Sequence, residues 1–357
     1  LKGLFKTIAK ITTLFIGKEK LSLAVLLFAM FIMGLLEVVG VASIAPFMAV
    51  VSDPGIIHEN YYLSWFYEYS NAGSNHKFLL ILGILAITLV VLANSFSALV
   101  NWRIVTFSKN QGHLVASRLL RKYLSQPYLF YLNKNTSDLG KNILSEVDRT
   151  MNGVILPGLL ALSRLAITIF ILLFLLYLNP LLALISVLLL GGVYSFIFII
   201  IRERLHTFGT STSIADADRF KTANEAMSGI KELKLHNTEQ VFLDRFKAPS
   251  AKRAGLTAYS QIASILPRYL LDAIGFGAIL FLMTYMVYLE KTSGEIIPIV
   301  TIFALAGYRL MPALQQIYAS LTQLKYNFPA LEILVTDLSS VNEVTPLNRK
   351  NNPPLLF

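Results

Sequence analysis

The fold of this chain is decided by residues 181–235, which read LLALISVLLLGGVYSFIFIIIRERLHTFGTSTSIADADRFKTANEAMSGIKELKL. The stretch begins as an apolar run and passes at Arg202 into a charged, basic segment without any proline; its weak points are Gly191-Gly192, Gly209 and Gly229. A continuous α-helix of this length would extend about 80 Å, roughly 50 Å more than the hydrocarbon core of a bilayer. The sequence therefore predicts a helix that crosses a membrane and continues far into water.

The composition of the whole chain is that of a membrane protein. The 357 residues are 55% hydrophobic and 15% charged, with a mean hydropathy of +0.61, whereas soluble domains carry about a quarter charged residues. Six apolar runs reach the length of about 20 residues that a helix needs to cross a bilayer; they are 21–51, 78–102, 154–178, 181–201, 262–289 and 296–324. The predicted class is an all-α membrane protein with six transmembrane helices.

The distribution of Lys and Arg predicts the orientation of these helices. Five lie in residues 1–20, eight in 103–153 and ten in 202–255, whereas the connections on the other side, 52–77, 179–180 and 290–295, hold only Lys77 and Lys291. Basic residues collect on the cytoplasmic side of a membrane. We therefore expect a protein of the bacterial inner membrane, with both termini and both long basic stretches on the cytoplasmic side. The same rule explains the net charge of +10, so this charge does not indicate nucleic-acid binding.

Shorter segments have their own patterns. Residues 1–20 predict a basic amphipathic helix in the membrane interface, with a disordered positive tail as the alternative. Asp53-Pro54-Gly55 and a group of aromatic residues in 52–77 predict an outer loop with an interfacial aromatic belt, and Asn179-Pro180 predicts a tight outer turn. In the first basic stretch, Pro127 and residues 133–138 should end a helix, and Ser137 or Asp138 could cap the next one. In the second basic stretch, the polar residues 235–239 should interrupt the helix.

Motif absences exclude several kinds of chemistry. The chain holds no G-x-x-x-x-G-K-[ST] phosphate loop, no H-E-x-x-H metal motif and no G-x-S-x-G nucleophile motif. It contains no cysteine, and its five histidines are scattered. We therefore expect no catalytic residue and no metal site in this chain.

Ionisable residues inside the apolar runs are the informative exception, because charge in a membrane usually faces a cavity or a partner. They are Glu37, Arg164, Arg268, Asp272 and Arg309. Arg268 and Asp272 are four residues apart and should pair on one helix face. The functional interpretation is an aqueous cavity whose guanidinium groups bind phosphate or carboxylate. The alternatives are a structural Arg268–Asp272 pair, and an Arg164 that reaches the interface or bonds Glu37.

Two further stretches resemble a known family. The first runs from Pro127-Tyr128 through Gly140 to Val147-Asp148, with Ser145-Glu146 in place of the usual Arg, and the second is Asn224–Lys234, with its Gly229-Ile230-Lys231. Together with six spans, they resemble the transmembrane half of ABC exporters over about residues 21–337. The resemblance implies a domain-swapped homodimer with a short coupling helix in each long loop. Residues implied to contact the ATP-binding domain are Tyr131, Asp138, Gly140, Lys231, Lys234, His236 and Glu239.

Within that family, Pro267-Arg268-Tyr269 and the run from Ile302 to Pro312 are most similar to PglK-type flippases of lipid-linked oligosaccharides. Glu37 and Pro46 also match that group, whereas Ala93-Asn94 stands where an arginine is expected. The resemblance implies that Arg268 and Arg309 bind the pyrophosphate of a polyprenyl carrier. Glu37 belongs to the same expected substrate site, and Asp272 is expected there as a counter-ion.

The resemblance also implies partners that this chain does not contain. ATP and Mg²⁺ would bind to a nucleotide-binding domain, fused or separate, and residues 338–357 have the polar, Pro- and Asn-rich composition of a linker toward it. Two alternatives to lipid flipping stay open. One is an exporter of peptides or hydrophobic drugs, and the other is a membrane scaffold or sensor without transport.

Overall fold

A computed structural model describes residues 17–52, 54–132, 134–178, 180, 184, 191–288 and 293–340. Within these ranges the regular structure is entirely helical, which confirms the predicted all-α class. Residues 1–16 and 341–357 lie outside the described part. Most of the predicted amphipathic helix and most of the predicted linker are therefore not described, and neither is Asn179 of the predicted outer turn.

The first apolar run forms two helices and not the single one predicted. Helix α1 covers Lys18–Ala42 and α2 covers Ile44–Ser52. They meet at Ser43, whose hydroxyl donates to the carbonyl oxygen of Gly40 at 2.8 Å. Pro46 explains the interruption, because the residue before a proline is disfavoured in helical conformation and the ring clashes with the preceding turn.

Two short helices precede the second apolar run: α3 (Ile56–Glu59) and α4 (Tyr61–Tyr69). Asn60 caps α4, since its side-chain oxygen accepts from the backbone N–H groups of Tyr62 and Leu63. One face of α4 packs on Phe78, through Phe66 and Tyr67. The other aromatic residues of α4 point to the exterior, where Trp65 and Tyr69 stack with ring centroids 5.5 Å apart.

Helix α5 covers Asn75–Leu124 and contains 50 residues, which corresponds to about 75 Å. It begins in the second apolar run and continues without a break into the first basic stretch, as the sequence predicts for the membrane helices. Ser74 caps its start by accepting from the N–H of Lys77. The helix ends just before Pro127, also as predicted.

The chain then turns through α6 (Tyr128–Leu132) and α7 (Thr136–Lys141). Asn135 is the cap of α7, because its side-chain oxygen accepts from the Ser137 N–H at 2.9 Å; the prediction of Ser137 or Asp138 was wrong. The helical run continues through a π-helical segment, Asn142–Glu146, then α8 (Val147–Thr150), a second π-helical segment, Met151–Ile155, and α9 (Leu156–Leu178).

The second half of the described chain contains α10 (Gly192–Ser228), α11 (Ile230–His236), α12 (Glu239–Tyr288) and α13 (Ser293–Ser340). Helix α10 ends at Gly229, a predicted weak point, and not near Leu235. The predicted polar interruption after Leu235 is confirmed, since Asn237 adopts a left-handed conformation with φ 52° and ends α11. Asn tolerates this conformation better than most residues.

Three helices of the described ranges are long and apolar enough to cross a membrane: Glu19–Gly40, Asn75–Leu124 and Thr136–Tyr177. They contain the first three predicted spans or most of each. The later three predicted spans fall on α10, α12 and α13 and on neighbouring residues outside the described part.

Helix α13 joins two groups of helices. On one side it packs against α9, which in turn packs against α1 and α5. On the other side it packs against α10 and α12. The approach to α10 is closest at Gly209, where an added Cβ would lie 1.8 Å from the backbone oxygen of Tyr326. Only glycine fits at such a distance. We call the polar continuation of these helices the stalk (residues 103–124, 141–155, 202–228, 239–261 and 325–340).

The stalk ends in two tips. The first tip comprises residues 125–140 with α6 and the start of α7, and the second tip comprises residues 229–238 with α11. On α10 the buried positions Leu205, Gly209, Thr212 and Asp216 recur every three or four residues. This spacing places them on one face of the helix, along α12 and α13.

Candidate functional site

An ion pair lies within the apolar part of α12. Arg268 Nε is 3.6 Å from Asp272 Oδ2, and the two side chains are 61% and 35% exposed. This confirms the pairing predicted from their spacing. Gln315 of α13 donates from Nε2 to Asp272 Oδ1 at 3.1 Å. Both carboxylate oxygens of Asp272 are therefore engaged, one by its own helix and one by a neighbour.

Two tyrosines pack against each other between α10 and α13. Tyr194 of α10 and Tyr318 of α13 have ring centroids 5.1 Å apart. The Tyr318 hydroxyl donates to the carbonyl oxygen of Ala263 at 3.2 Å. The Tyr194 side chain is buried, and its hydroxyl has no hydrogen-bond partner within the described part of the chain.

Glu37 lies in a different interface. It is buried on α1 and accepts a hydrogen bond from Ser97 Oγ of α5 at 3.0 Å. The backbone of Arg309 belongs to α13, whereas its side chain lies outside the described part of the structure. Of the four predicted substrate residues, the structure thus brings Arg268 and Asp272 together and places Glu37 between other helices. Their role in binding a substrate stays a prediction.

The first tip contains three of the residues predicted to contact an ATPase domain. Tyr131 is half-buried, and its hydroxyl donates to the carbonyl oxygen of Tyr123 at 2.6 Å, so it anchors α6 to the end of α5. Asp138 is half-buried, and Gly140 has open space where a Cβ would stand. Ser137 accepts from Asn224 Nδ2 of α10 at 2.8 Å. The first tip is therefore attached to the helix that leads to the second.

The second tip contains three of the other four, and the fourth, Glu239, is the first residue of α12, directly after the tip. Lys231 and His236 are exposed, and Lys234 Nζ lies 2.9 Å from Glu239 Oε1. This ion pair spans the turn between α11 and α12. The hydrogen bond from Lys234 holds the pKa of the Glu239 carboxyl below its ordinary value, because it stabilises the ionised form.

Apolar side chains are exposed at both tips. Each has more than half of its surface accessible; they are Tyr128, Leu129, Leu132 and Leu235. Leu235 is 70% exposed, next to the exposed Lys234 and His236. Clustered apolar exposure with charges around it is typical of a surface that binds another protein.

The stalk, in contrast, buries charged side chains in ion pairs. Glu146 is fully buried in the second half of the first π-helical segment and lies 3.4 Å from Lys141 Nζ and 3.2 Å from Arg149 Nη1. Arg149 also donates to Ser213 Oγ of α10 at 2.7 Å. A single guanidinium group therefore links the helix that leads to α9 with α10.

A second buried carboxylate links α10 with α12. Asp216 is 1% exposed, and its Oδ1 lies 2.8 Å from Arg219 Nη1 and 2.6 Å from Arg253 Nε. Arg253 comes from α12. Because a buried charge is costly without a partner, the Asp216–Arg253 pair holds α10 and α12 in one relative arrangement.

The last turn of α13 is fastened to the end of α5. Asp337 Oδ2 accepts from the Tyr123 hydroxyl at 2.5 Å and from Asn142 Nδ2 at 2.8 Å, and Lys122 donates to the carbonyl oxygen of Leu338. Burial, together with the hydrogen bond to the Asp337 carboxylate, raises the pKa of Tyr123. The end of α13 is therefore attached to the end of α5 and to the first π-helical segment, on either side of the first tip.

A cavity of about 730 Å³ opens beside this contact, between the first tip, α10 and α13. Its polar lining includes Lys134, Asp138 and Glu332. It lies in the stalk, and neither Arg268 nor Asp272 lines it, so it is not the guanidinium-lined cavity predicted from the sequence. Within the described ranges, no three His, Asp or Glu side chains come together as metal ligands.

Sequence reasoning did not identify Gln315, Tyr194 or the buried carboxylates of the stalk. Gln315 could have been found, since an amide within an apolar run usually hydrogen-bonds to a polar group on another helix. Tyr194 carries no such signal, because a tyrosine in a membrane run is common and its unpaired hydroxyl is a feature of the packing. The burial of Glu146 and Asp216 likewise depends on which helices meet.

Residues 43–312 match the family model of the ABC transporter transmembrane region. The chain belongs to this family. The match contains both tips, most of the stalk, Arg268 and Asp272. As an ABC transporter transmembrane region, the chain is the membrane-spanning permease part of a transporter. Such regions typically dimerise and pair with nucleotide-binding domains, which is consistent with apolar side chains exposed at the tips.

Proposed function

We propose that this ABC transporter transmembrane region moves an anionic amphiphile, such as a lipid-linked oligosaccharide, across the bacterial inner membrane. The observation that carries the proposal is the Arg268 side chain. It lies within the apolar part of α12, is more than half exposed, and is engaged by Asp272 through Nε. Its terminal nitrogens form no hydrogen bond or ion pair within the described residues, and guanidinium groups bind phosphate by forked hydrogen bonds.

The resemblance of Arg268 and Arg309 to the cavity arginines of PglK-type flippases supports a pyrophosphate head in particular. A charged head cannot enter hydrocarbon without a large cost, so it needs a polar path through the helices. Arg268 provides a binding group at the beginning of such a path, in the part of α12 nearer the stalk.

The driving force would come from ATP-binding domains docked on the tips. Closure of two such domains would pull on both tips of each copy of a homodimer, and the stalk would pass that movement to the spans. In this arrangement the stalk and both termini lie in the cytoplasm, as the distribution of Lys and Arg favours. Release outside requires that the outward-open state binds the head more weakly than the inward-open state.

The experiment is transport of a fluorescent polyprenyl-pyrophosphate saccharide in proteoliposomes that contain the transporter with its ATPase domains. We expect Arg268→Ala to lower the apparent affinity by about 10- to 100-fold, since a hydrogen-bonded charge contributes about 1.5–3 kcal/mol. Arg103→Ala is the matched control. Its guanidinium group lies 5.2 Å from the ring centre of Trp102, close to the border of the apolar run, and its loss should leave transport intact.

Unchanged lipid transport by Arg268→Ala would contradict the proposal. Transport of peptides or hydrophobic drugs by the unaltered protein, with no transport of the lipid, would favour an exporter of that kind instead. If no ATPase subunit or fused domain accompanies the complete gene product, the transporter mechanism itself fails and a scaffold role is favoured.

A further inference from the structure

We propose that Gln315 is a positioning residue for the guanidinium group that binds phosphate, and that it acts through Asp272. The inference rests on the proposed function, in which Arg268 binds the phosphate of the ligand. It adds a residue of α13 that neither the resemblance nor the spacing of charges identifies. It also makes the affinity for phosphate depend on the contact between α12 and α13.

The first step concerns the part of Arg268 that faces Asp272. Asp272 Oδ2 lies 3.6 Å from Arg268 Nε, which is the nitrogen nearest the backbone. The two terminal nitrogens form no hydrogen bond with a described residue, and the Arg268 side chain is 61% exposed. A phosphate can therefore approach these nitrogens, which can form two parallel hydrogen bonds with it.

The second step concerns competition between Asp272 and the phosphate. A carboxylate accepts the same two parallel hydrogen bonds from a guanidinium group as a phosphate does. If Asp272 turned toward the terminal nitrogens of Arg268, it would occupy the edge that the phosphate needs, and its charge would repel the ligand. Phosphate binding therefore requires that Asp272 stays beside Nε.

The third step concerns the group that holds Asp272 there. Gln315 Nε2 donates to Asp272 Oδ1 at 3.1 Å, so the oxygen that does not face Arg268 is held by α13. A hydrogen bond to an ionised acceptor is stronger than one between neutral groups. The amide therefore restrains the carboxylate and offsets part of its charge. Without this donor, Asp272 could turn toward the terminal nitrogens of Arg268.

The contact belongs to the interface between α12 and α13. One turn further along α13, the Tyr318 hydroxyl donates to the carbonyl oxygen of Ala263 in α12 at 3.2 Å. The two helices are thus fastened next to Gln315, which places its amide within reach of Asp272. Any movement that separates Gln315 from Asp272 would weaken phosphate binding.

The chain offers a matched control in the next residue. Gln316 is also half-buried on α13, but its Nε2 donates to Ser320 Oγ of the same helix at 3.3 Å. Gln316→Leu therefore removes an amide of the same kind and leaves the donor to Asp272 in place. A general effect of losing a glutamine from this turn should be as large at Gln316 as at Gln315.

The experiment is calorimetric binding of farnesyl diphosphate and of farnesol to the transporter with its ATPase domains, in nonionic detergent micelles. We expect Gln315→Leu to weaken binding of the diphosphate by about tenfold or more. Binding of farnesol should be unchanged, because farnesol has no phosphate. Gln316→Leu should bind both probes like the unaltered protein. A melting curve in the same micelles shows that each variant is folded.

Asp272→Asn tests whether Gln315 acts through the carboxylate. This substitution removes the charge that competes for Arg268, so we expect diphosphate binding at least as tight as in the unaltered protein. Adding Gln315→Leu to it should then have little further effect. Independent effects of two substitutions add, so the same loss from Gln315→Leu with and without Asp272→Asn would overturn the inference.

Unchanged diphosphate binding by Gln315→Leu, or an equal loss for farnesol, would overturn it as well. Arg268→Ala separates the two proposals. If it weakens diphosphate binding and Gln315→Leu does not, the role of Gln315 is wrong and the anionic ligand stands. If Arg268→Ala has no effect, or the unaltered protein does not bind the diphosphate, the proposed function fails together with this inference.

Discussion

The stalk and the tips differ in which side chains they bury and which they expose. In the stalk, carboxylates such as Glu146 and Asp216 are buried and paired with cations. Of these cations, Arg253 comes from a neighbouring helix. At the tips, Leu235 is 70% exposed and Tyr128 is 77% exposed, whereas the Lys234–Glu239 pair lies at the surface. Charged side chains are buried in the stalk, and apolar side chains are exposed at the tips.

The difference indicates that the stalk is stable without a partner, whereas the tips have surfaces for a partner to cover. A buried ion pair penalises any rearrangement that would separate its partners, so the stalk helices are held as one body. An exposed apolar cluster gains free energy only when another surface covers it. We infer that the stalk is a rigid transmitter and that the tips are the places where a partner acts.

The largest expected effect is on the contact between α10 and α13. In Gly209→Ala the new methyl group would lie 1.8 Å from the Tyr326 carbonyl oxygen, and backbone atoms cannot move aside as a flexible side chain can. Overpacking of this kind costs about 3 kcal/mol or more. We expect the variant to lose thermal stability strongly in a melting experiment in detergent.

Gly255→Ala is the control for this substitution. Gly255 belongs to α12, and nothing lies within 4 Å of its added Cβ. Alanine should stabilise the helix by about 0.5–1 kcal/mol. Equal stability of the two variants would show that α10 and α13 do not meet at Gly209.

The second prediction concerns the buried carboxylate of α10. Asp216→Asn removes the charge that holds Arg219 and Arg253, so we expect a loss of about 2 kcal/mol. This is below the 3–5 kcal/mol seen for fully buried pairs, because both arginines reach water in part. Chemical denaturation in micelles measures the change.

Asp244→Asn is its counterpart at the surface, where Asp244 pairs with Lys247 and both are more than half exposed. We expect no measurable change in stability, because exposed pairs contribute little. A loss as large as that of Asp216→Asn would remove the distinction between buried and exposed charges on which the comparison depends.

The third prediction concerns the second tip, where we expect a substitution to weaken partner binding and to leave stability unchanged. Leu235→Asp should leave the melting temperature unchanged, since the side chain contacts water over most of its surface. It should weaken binding of the ATPase partner by about tenfold or more, because a buried apolar residue at an interface core often contributes over 1 kcal/mol. Co-purification and a binding titration test both parts. Normal partner binding would place the docking surface elsewhere.

The smallest effect is the pH dependence of the second tip. The pKa of Glu239 is lowered by the hydrogen bond from Lys234, so the pair stabilises the turn above the ordinary pKa of the carboxyl. Its contribution is lost as the pH falls through the lowered value. In ¹³C NMR of labelled glutamate, the Glu239 midpoint should lie below that of an ordinary glutamate, and Lys234→Met should raise it. An identical midpoint in the variant would show that the pair does not form.

Much of this architecture follows from the sequence, because it depends on patterns along the chain. Long apolar runs that continue into basic segments without proline predict the membrane helices and the stalk. Local chemistry predicts the breaks at Pro127 and after Leu235, since proline and a polar run disfavour a continued helix. The Arg268–Asp272 pair follows from a spacing of four residues on one helix.

What the sequence does not reveal depends on contacts between distant segments. One local detail was also wrong: the cap of α7 is Asn135 and not Ser137 or Asp138, because the point at which the helix starts decides which side chain can reach its first N–H groups. The close approach at Gly209, the burial of Asp216 and the donor from Gln315 all require knowledge of which helices are neighbours. No sequence pattern described above predicts the two π-helical segments.

The most direct test of the account is hydrogen–deuterium exchange of the chain in lipid nanodiscs, with residues 205–228 compared with residues 229–238. A rigid stalk predicts that amides of 205–228 exchange slowly and together, whereas those of the second tip exchange quickly in the absence of a partner. Exchange in 205–228 as fast as in the tip would contradict the account, because a loose segment could not carry force from the tips to the membrane helices.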